Sequence, residues 1–210
     1  IGFDPVMQMV CRDRNRIAIQ SDILGAAAMG INNLLCLSGD HQSFGDHPSA
    51  KNVFDIDSIQ LIRTVKGMRD DGKFLSGEEV KGRPAMFIGC AENPFADPFE
   101  IRAMRLAKKA AAGAQFVQTQ CVFNVEKFEK WMEMDRDLGI HEKMHILAGI
   151  TPFKSVGMAR YMKASVPGMD VPDELISRLN GVPKENVADE CVKICVELIE
   201  KVRAIKGVAG

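Results

Sequence analysis

The sequence alternates between short apolar runs that are typical of strands and longer segments with the periodicity of amphipathic helices. Because a helix after each strand carries the chain back to the start of the next, this alternation predicts parallel strands with right-handed crossovers. Two α/β architectures are built in this way, the open doubly wound sheet and the closed (β/α)8 TIM barrel. The strands are predicted at residues 6–10, 34–37, 85–90, 116–119 and 144–147. The helices are predicted at 17–28, 58–68, 98–112, 125–138 and 186–205, with one more through Met158 and Met162.

The loops after the strands favour the barrel over the doubly wound sheet. No Gly-x-Gly-x-x-Gly follows any predicted strand, and the loop after residues 34–37 lacks a phosphate-cradling run of glycines. A barrel of this kind has eight strands, more than the five visible here. We therefore expect residues 1–210 to form a single partial TIM-barrel domain that lacks the first strands and the last strand, with residues 207–210 starting a further strand.

The charge balance argues against a general nucleic-acid binder. The chain of 210 residues carries 27 Lys and Arg and 28 Asp and Glu, a formal net charge of −1, whereas nucleic-acid binders usually show a clustered basic excess. No apolar stretch is long enough to span a bilayer, and no signal-peptide pattern is present. We expect a cytoplasmic protein that binds neither nucleic acid nor a membrane.

The six cysteines are expected to be buried reduced thiols, which is the usual state of cysteine in a cytosolic protein. Cys191 and Cys195 lie four residues apart on a predicted helix, so their thiols would share one face. No His or Cys pair nearby completes a tetrahedral set of ligands. Asp46 and His47 are adjacent in a loop, where solvated turn chemistry is favoured over metal ligation. No metal site is predicted.

Polar side chains follow the predicted strands at the end where α/β enzymes place their chemistry. Asp40 follows an apolar run after Ser38 and Gly39, and a glycine at this point lets a ligand approach the backbone closely. Gln120 follows another such run. We expect the Asp40 and Gln120 side chains to project from neighbouring strand tips into one shared space. Similar positions after other strands are held by Asp13, Glu92, Asn93 and Thr151.

Several of these polar residues also have a purely structural interpretation. Asp13 and Thr151 are favoured as helix caps or turn residues. Gln120 suits hydrogen bonding to a heteroaromatic ring, but a structural amide that caps a loop is an equal alternative. The basic residues of the predicted helix 98–112 fit a solvated face, although one of them could reach a phosphate; they are Arg102, Arg105, Lys108 and Lys109. No Gly-x-Ser-x-Gly elbow is present, so nucleophilic acyl transfer is not predicted.

Five motifs, spread along nearly the whole chain, resemble those of the methylenetetrahydrofolate reductase family. They are Cys11-Arg12-Asp13-Arg14-Asn15, Leu37-Ser38-Gly39-Asp40, Lys109 with Ala112-Gly113-Ala114, Thr119-Gln120-Cys121-Val122-Phe123-Asn124, and Ala148-Gly149-Ile150-Thr151-Pro152. The sequence also resembles the branch of this family found in anaerobic and acetogenic organisms. The resemblance implies a flavin-dependent TIM-barrel enzyme of one-carbon metabolism.

The resemblance implies a specific reaction. A flavin, usually FAD with FMN as the alternative, takes a hydride from NAD(P)H or a reduced partner protein and passes it to 5,10-methylenetetrahydrofolate, giving 5-methyltetrahydrofolate. The product serves methionine supply or the acetyl-CoA pathway. Members of the branch can work with a small zinc-binding partner subunit, and an oligomer is expected.

The resemblance also implies roles for individual residues. Asp40 is implied to be catalytic and to lie near both flavin and folate, where its charge stabilises the cationic iminium form of the substrate. Gln120 is implied to hydrogen-bond the pterin ring. The positions implied to bind the flavin are Gln8, Gly39, Asp40, Ile56, Arg105, Lys108 and Lys109, with Lys109 placed to reach the phosphates.

The sequence departs from the family pattern at Gln8, Ser38 and Arg102, where the family often has His, Arg and an acid. The family's general-acid glutamate lies on a strand that this sequence does not contain. Two other functions stay open. One is a non-catalytic or partner-dependent subunit of a methyl-transfer complex, and the other is a flavin-free pterin-binding methyltransferase barrel.

Overall fold

The computed structural model describes residues 2–210, and within them it contains five strands and seven α-helices. The strands are β1 (Val6–Val10), β2 (Asn33–Leu37), β3 (Phe87–Glu92), β4 (Phe116–Cys121) and β5 (His145–Gly149). The helices are α1 (Arg16–Ala28), α2 (Ser58–Lys66), α3 (Arg102–Ala112), α4 (Val125–Asp137), α5 (Val156–Ser165), α6 (Asp173–Asn180) and α7 (Val187–Arg203). Among these residues, no helix is both long enough and apolar enough to cross a membrane.

The strands lie in one sheet in chain order, β1-β2-β3-β4-β5. The pairing of β1 with β2 and of β2 with β3 is parallel, with Gln8 opposite Leu35 and Leu35 opposite Gly89. A doubly wound sheet reverses its strand order at a switch point, whereas a (β/α)8 barrel adds each strand beside the previous one. The chain order therefore confirms the α/β class and the prediction of a partial (β/α)8 barrel.

By its contacts the chain divides into two compact units, Ile1–Ala91 with Lys108–Phe116 and Glu92–Ala107 with Val117–Gly210. That residues 1–210 form a single domain stays a prediction. In the first unit, helices begin at side chains that satisfy free backbone N–H groups. Asn15 accepts hydrogen bonds from the N–H groups of Ile17 and Ala18, and Asp57 forms a reciprocal capping box with Gln60.

The second unit has its core between its helices. Phe123 and Phe153 stack with ring centroids 4.5 Å apart, and they pack with buried residues of α5, α6 and α7. Arg178 of α6 binds Glu190 and Glu197 of α7 at 2.6 Å each, which ties these two helices together. The last residues run parallel to β5, since Ala209 N–H donates to the Ile146 carbonyl at 2.8 Å. Residues 207–210 were expected to start a further strand, and Val208 does pair with Ile146 of β5.

Several predicted boundaries were wrong. Strand β3 begins and ends two residues later than predicted, so Glu92 belongs to the strand. Gln120 lies inside β4 and not beyond it. The sequence interpretation also missed α6 and a short hairpin closed by the antiparallel bridge between Lys73 and Glu79. The hairpin was not predicted because Gly72 and Gly77, both with positive φ, lie among polar residues that do not alternate with apolar ones as in a strand.

Candidate functional site

The turn from Gly39 to Asp40 at the end of β2 requires glycine on two counts. Gly39 has φ of +92°, a conformation that L side chains rarely adopt. A Cβ atom there would also lie 2.3 Å from Val10 Cγ1 and 3.1 Å from Arg12 Cβ. The backbone of this turn is therefore packed directly against the end of β1, and the Asp40 side chain that follows is exposed.

Arg12 contacts this turn through its main chain and its side chain. Arg12 N–H donates to the Ser38 carbonyl at 3.0 Å, which extends the parallel pairing beyond the ends of the two strands. The guanidinium donates from Nη1 to the Asp40 carbonyl at 2.9 Å, while Nε and Nη2 bind the Asp13 carboxylate at 2.7 and 2.9 Å. Asp13, through its hydrogen bonds, and the nearby charge of Asp40 raise the pKa of Arg12. Of the two structural roles expected for Asp13, the turn residue agrees with its place in the bend after β1, and the helix cap does not, because Asn15 caps α1.

The long loop between β2 and α2 is tied to the same region. Val53 N–H donates to the Arg12 carbonyl at 2.8 Å, and Asp55 accepts hydrogen bonds from the side chain and the backbone of Arg16. Between these two attachments Phe54 has φ of +41°, which is unusual for a bulky residue. Ile56, implied to bind the flavin, is buried at 5% exposure. That role stays a prediction.

Gln8 lies on β1 with its side chain exposed. By the parallel register it shares a face with Leu35 and Gly89. At Gly89 a Cβ atom would lie 2.1 Å from the Phe116 ring, so this glycine makes room for the aromatic side chain. This face of the first unit is therefore filled at Phe116 and exposed at Gln8. The role of Gln8 in flavin binding stays a prediction.

Strand β4 presents two amides on one side. Side chains alternate along a strand, so Gln118 and Gln120 point to the same side as Phe116, and Thr119 points to the other. Thr119 is buried and fixes the strand, since its hydroxyl accepts from Gly149 N–H at 3.0 Å and donates to the Gln120 carbonyl at 2.9 Å. Gln118 was missed by the sequence interpretation, although its spacing of two from Gln120 was the signal. Since β3 lies between β2 and β4, the prediction that Asp40 and Gln120 follow neighbouring strands is wrong.

The basic residues of α3 divide between two environments. Arg105 and Lys108 are exposed, as a solvated helix face requires. Lys109 is 6% exposed, and its ammonium donates to the Ala91 carbonyl at 2.5 Å. Arg102 binds the carbonyls of Ala96 and Asp97. Lys109 must leave its contact with Ala91 to reach a phosphate, so its flavin role and those of Arg105 and Lys108 stay predictions.

The other polar positions expected near the strand ends lie in several different environments. Glu92 is buried at 6% exposure, so it does not belong to the expected polar rim, and Asn93 accepts from Phe95 N–H within its own loop. Ser155, not Thr151, caps the next helix. Asp46 and His47 are exposed in their loop. Across residues 2–210, no group of three or more His, Cys, Asp and Glu side chains is placed to hold a metal ion.

A cavity of about 1170 Å³ opens in the second unit beside the loops that follow β3 and β4. Its wall includes Phe95, Phe123 and Asn124. Lys127, which also lines it, binds Asp170 at 3.3 Å and the Phe95 carbonyl at 3.1 Å. Asn124 donates to the same carboxylate of Asp170 at 3.3 Å. The cavity thus has aromatic side chains in its wall, and its Lys127 and Asp170 side chains are already paired with each other.

Curated proteins similar to this chain are named as reductases of methylenetetrahydrofolate. "Probable methylenetetrahydrofolate reductase (NADPH)" of Caenorhabditis elegans is 25% identical over 210 residues, covering 95% of this chain and 29% of that protein. "Methylenetetrahydrofolate reductase 2" and "Methylenetetrahydrofolate reductase 1" of Schizosaccharomyces pombe are 25% and 26% identical, covering 93% and 96% of this chain. The chain spans 29%, 31% and 32% of the length of these three relatives, respectively.

Among solved structures, a similar one is titled "Uncharacterized protein from Clostridium thermocellum binds two copies of 5-methyl-5,6,7,8-tetrahydrofolic acid". It is 15% identical with a TM-score of 0.47, covering 94% of this chain and 82% of that one. The family model described as methylenetetrahydrofolate reductase matches residues 1–209, nearly the whole chain. This chain therefore belongs to the methylenetetrahydrofolate reductase family.

Proposed function

We propose that this protein is a flavin-dependent oxidoreductase that reduces 5,10-methylenetetrahydrofolate to 5-methyltetrahydrofolate. The observation that carries the proposal is the Gly39–Asp40 turn in a member of this family. The turn presents an exposed carboxylate directly after a glycine whose Cβ position is taken up by Val10. Because Val10 fills the space beside it, Gly39 serves to set the turn that presents the Asp40 carboxylate to a ligand.

The residues of the first unit fit a flavin in this region. The exposed Gln8 amide and the exposed Asp40 carboxylate offer polar groups with which a flavin can form hydrogen bonds. When bound, the flavin supplies hydride transfer, which no protein side chain provides. Asp40 then has an electrostatic task, because a fixed carboxylate favours the positive charge of an iminium ion. FAD is proposed, with FMN as the alternative.

Gln120 is proposed to bind the pterin ring of the folate. A glutamine amide both donates and accepts, so it can match the alternating donors and acceptors of a pterin edge. The fixing of β4 by Thr119 and Gly149 supports this role, because a positioned amide loses little freedom on binding. Gln118, on the same side of β4, is a second amide that could contact the ligand.

The remaining parts of the proposal rest on the family alone. The electron donor is NAD(P)H or a reduced partner protein, and the product serves methionine supply or the acetyl-CoA pathway. A cytoplasmic location, an oligomeric state and a small zinc-binding partner subunit are proposed on the same ground.

The test is the visible absorbance spectrum of the purified protein, followed by anaerobic addition of 5-methyltetrahydrofolate. We expect flavin bands that bleach, because the reaction run backwards delivers a hydride to the cofactor. Bands that stay unchanged would overturn direct folate oxidation and point to a partner-dependent subunit. A colourless protein that still binds the folate would point to a flavin-free pterin barrel.

A further inference from the structure

Arg12 lies before helix α1, and both its main chain and its side chain contact the region around Asp40. Its N–H donates to the Ser38 carbonyl, its carbonyl accepts from Val53 N–H, and its guanidinium donates to the Asp40 carbonyl. These contacts join the end of β1 to the residues on both sides of the proposed catalytic turn. The Arg12 Cβ is also among the atoms nearest to the space beside Gly39.

Asp13 completes this arrangement by holding the guanidinium in place. Two parallel hydrogen bonds of 2.7 and 2.9 Å fix the plane of the Arg12 fork, which leaves Nη1 aimed at the Asp40 carbonyl. Arginine stays charged at any physiological pH, so this contact also keeps a permanent positive charge close to Asp40. A lysine, with a single ammonium, cannot bind both groups in this planar geometry.

The two neighbouring arginines do not share this role. Arg14 pairs with Asp22 at 2.8 Å, and Arg16 pairs with Asp55 at 2.8 Å. All three arginines are held by carboxylates, and within residues 2–210 it is the Arg12 guanidinium whose hydrogen bonds reach Asp40. Arg14 is therefore a matched control, since it has the same chemistry in the same segment.

We propose that Arg12 is a positioning residue, which fixes the backbone of Asp40 and thereby aims the Asp40 carboxylate at the reacting centre. This inference rests on the proposed function of Asp40. Arg12 itself is not proposed to touch the substrate. Its effect on the reaction is expected to pass entirely through Asp40.

The first experiment needs no ligand and tests the contact itself. The NMR resonance of the Asp40 carbonyl carbon is compared in the parent chain and in the Arg12→Gln, Arg12→Lys and Arg14→Ala variants. We expect both Arg12 variants to shift this resonance and Arg14→Ala to leave it in place. An Asp40 resonance that is unchanged in folded Arg12→Gln would overturn the proposal, whether or not the proposed function is correct.

The second experiment is a double-mutant cycle on the rate at which methylenetetrahydrofolate oxidises the reduced flavin. We expect Arg12→Gln to slow this step about 10- to 100-fold, because misplacement of a catalytic group has effects of this size. Flavin content and the rate of flavin reduction by the donor should not change. In an Asp40→Asn background the same substitution should have less than about a twofold effect.

A loss in the Asp40→Asn background as large as in the parent would overturn the proposal, because Arg12 would then act independently of Asp40. Absence of any flavin or folate reaction in the parent chain would instead overturn the proposed function. In that case the carbonyl resonance still decides whether Arg12 fixes Asp40. Arg12→Lys, which keeps the charge, shows whether the planar fork is needed as well.

Discussion

The Arg16 guanidinium binds the Asp55 carboxylate through two parallel hydrogen bonds, 2.8 Å from Nε to Oδ2 and 2.9 Å from Nη2 to Oδ1. A third bond from Arg16 N–H reaches Oδ2 at 2.9 Å. These bonds, from the side chain first and the backbone second, lower the pKa of Asp55 to about 2. They fasten the far end of the loop that begins at Asp40.

We predict that Asp55→Asn loosens this loop. The variant loses the charged pair, so amide hydrogen exchange at residues 53–56 should become faster, while exchange in β2 should not change. Because the folded pKa is depressed, the contribution of Asp55 is present above its unfolded pKa of about 3.9 and is lost as pH falls towards 2. The measurement is hydrogen exchange followed by mass spectrometry. Asp46→Asn, an exposed acid in the same loop, is the control, and equal exchange in both variants would contradict the prediction.

Gly39→Ala is predicted to be far more disruptive than Gly30→Ala. Both glycines have positive φ, but a Cβ at Gly30 meets nothing within 4 Å, whereas at Gly39 it lies 2.3 Å from Val10 Cγ1. Backbone strain alone costs about 1–2 kcal/mol. The clash adds to this, so Gly39→Ala should lower the free energy of unfolding by roughly 3 kcal/mol or more. Chemical denaturation measures both, and Val10→Ala should restore part of the loss at Gly39. Equal losses at the two glycines would refute the clash.

Asp135 should make the second unit less stable as pH rises from 4 to 8. This α4 side chain is fully buried, and burial first and the charge of Glu92 second raise the pKa of Asp135 to about 8, against a smaller opposing effect of Arg136. Its folded pKa exceeds its unfolded pKa of about 3.9. Folding therefore takes up a proton between these values, and the group costs up to about 1.4 kcal/mol per pH unit there.

The measurement is the free energy of unfolding against pH for the parent, Asp135→Asn and Asp137→Asn. The parent should lose stability relative to Asp135→Asn between pH 4 and 8, with a constant difference above pH 8. Asp137, exposed on the same helix, should give a curve parallel to the parent. A parent curve parallel to that of Asp135→Asn would show that Asp135 is ionised in the folded protein.

Asp40→Asn and Gln120→Glu are predicted to damage different steps. Asp40→Asn keeps the size of the side chain and removes the charge, so flavin content should persist while the rate of folate reduction falls by about 10-fold or more. Gln120→Glu replaces an amide donor with an acceptor-only group and should weaken folate binding by about 10-fold. Flavin absorbance, stopped-flow rates and folate titration separate the two effects. If both variants matched the parent, the assignment of these residues would be wrong.

The sequence predicted the architecture well because strand and helix periodicity are local properties. All five strands were found, and four helices, α1, α2, α4 and α7, lie within a few residues of their predicted bounds. The third strand was misplaced because the apolar run 85–90 includes residues that lead into the strand, whereas Glu92 is buried within it. A buried carboxylate gives no apolar signal, so periodicity could not detect it.

The candidate site was predictable in part. Gly39 was expected to let a ligand approach the backbone, but Val10 fills the space beside it, and this contact depends on the pairing of two strands. Lys109 was expected to be available to a phosphate, yet it is buried against Ala91. Whether the side chain of a helical lysine is buried or exposed depends on the neighbouring strand, so the local sequence pattern does not predict it.

The buried cysteines of this protein can report its local unfolding. Cys11, Cys36 and Cys90 are buried in the first unit, and burial raises the pKa of Cys11 to about 11 and that of Cys36 well above its usual range. A thiol that is both covered and protonated reacts only after the surrounding structure opens. Cys191 is buried in the second unit, and Cys121 and Cys195 are half-buried. The rates at which a small alkylating reagent labels the four buried cysteines therefore measure how often each unit opens.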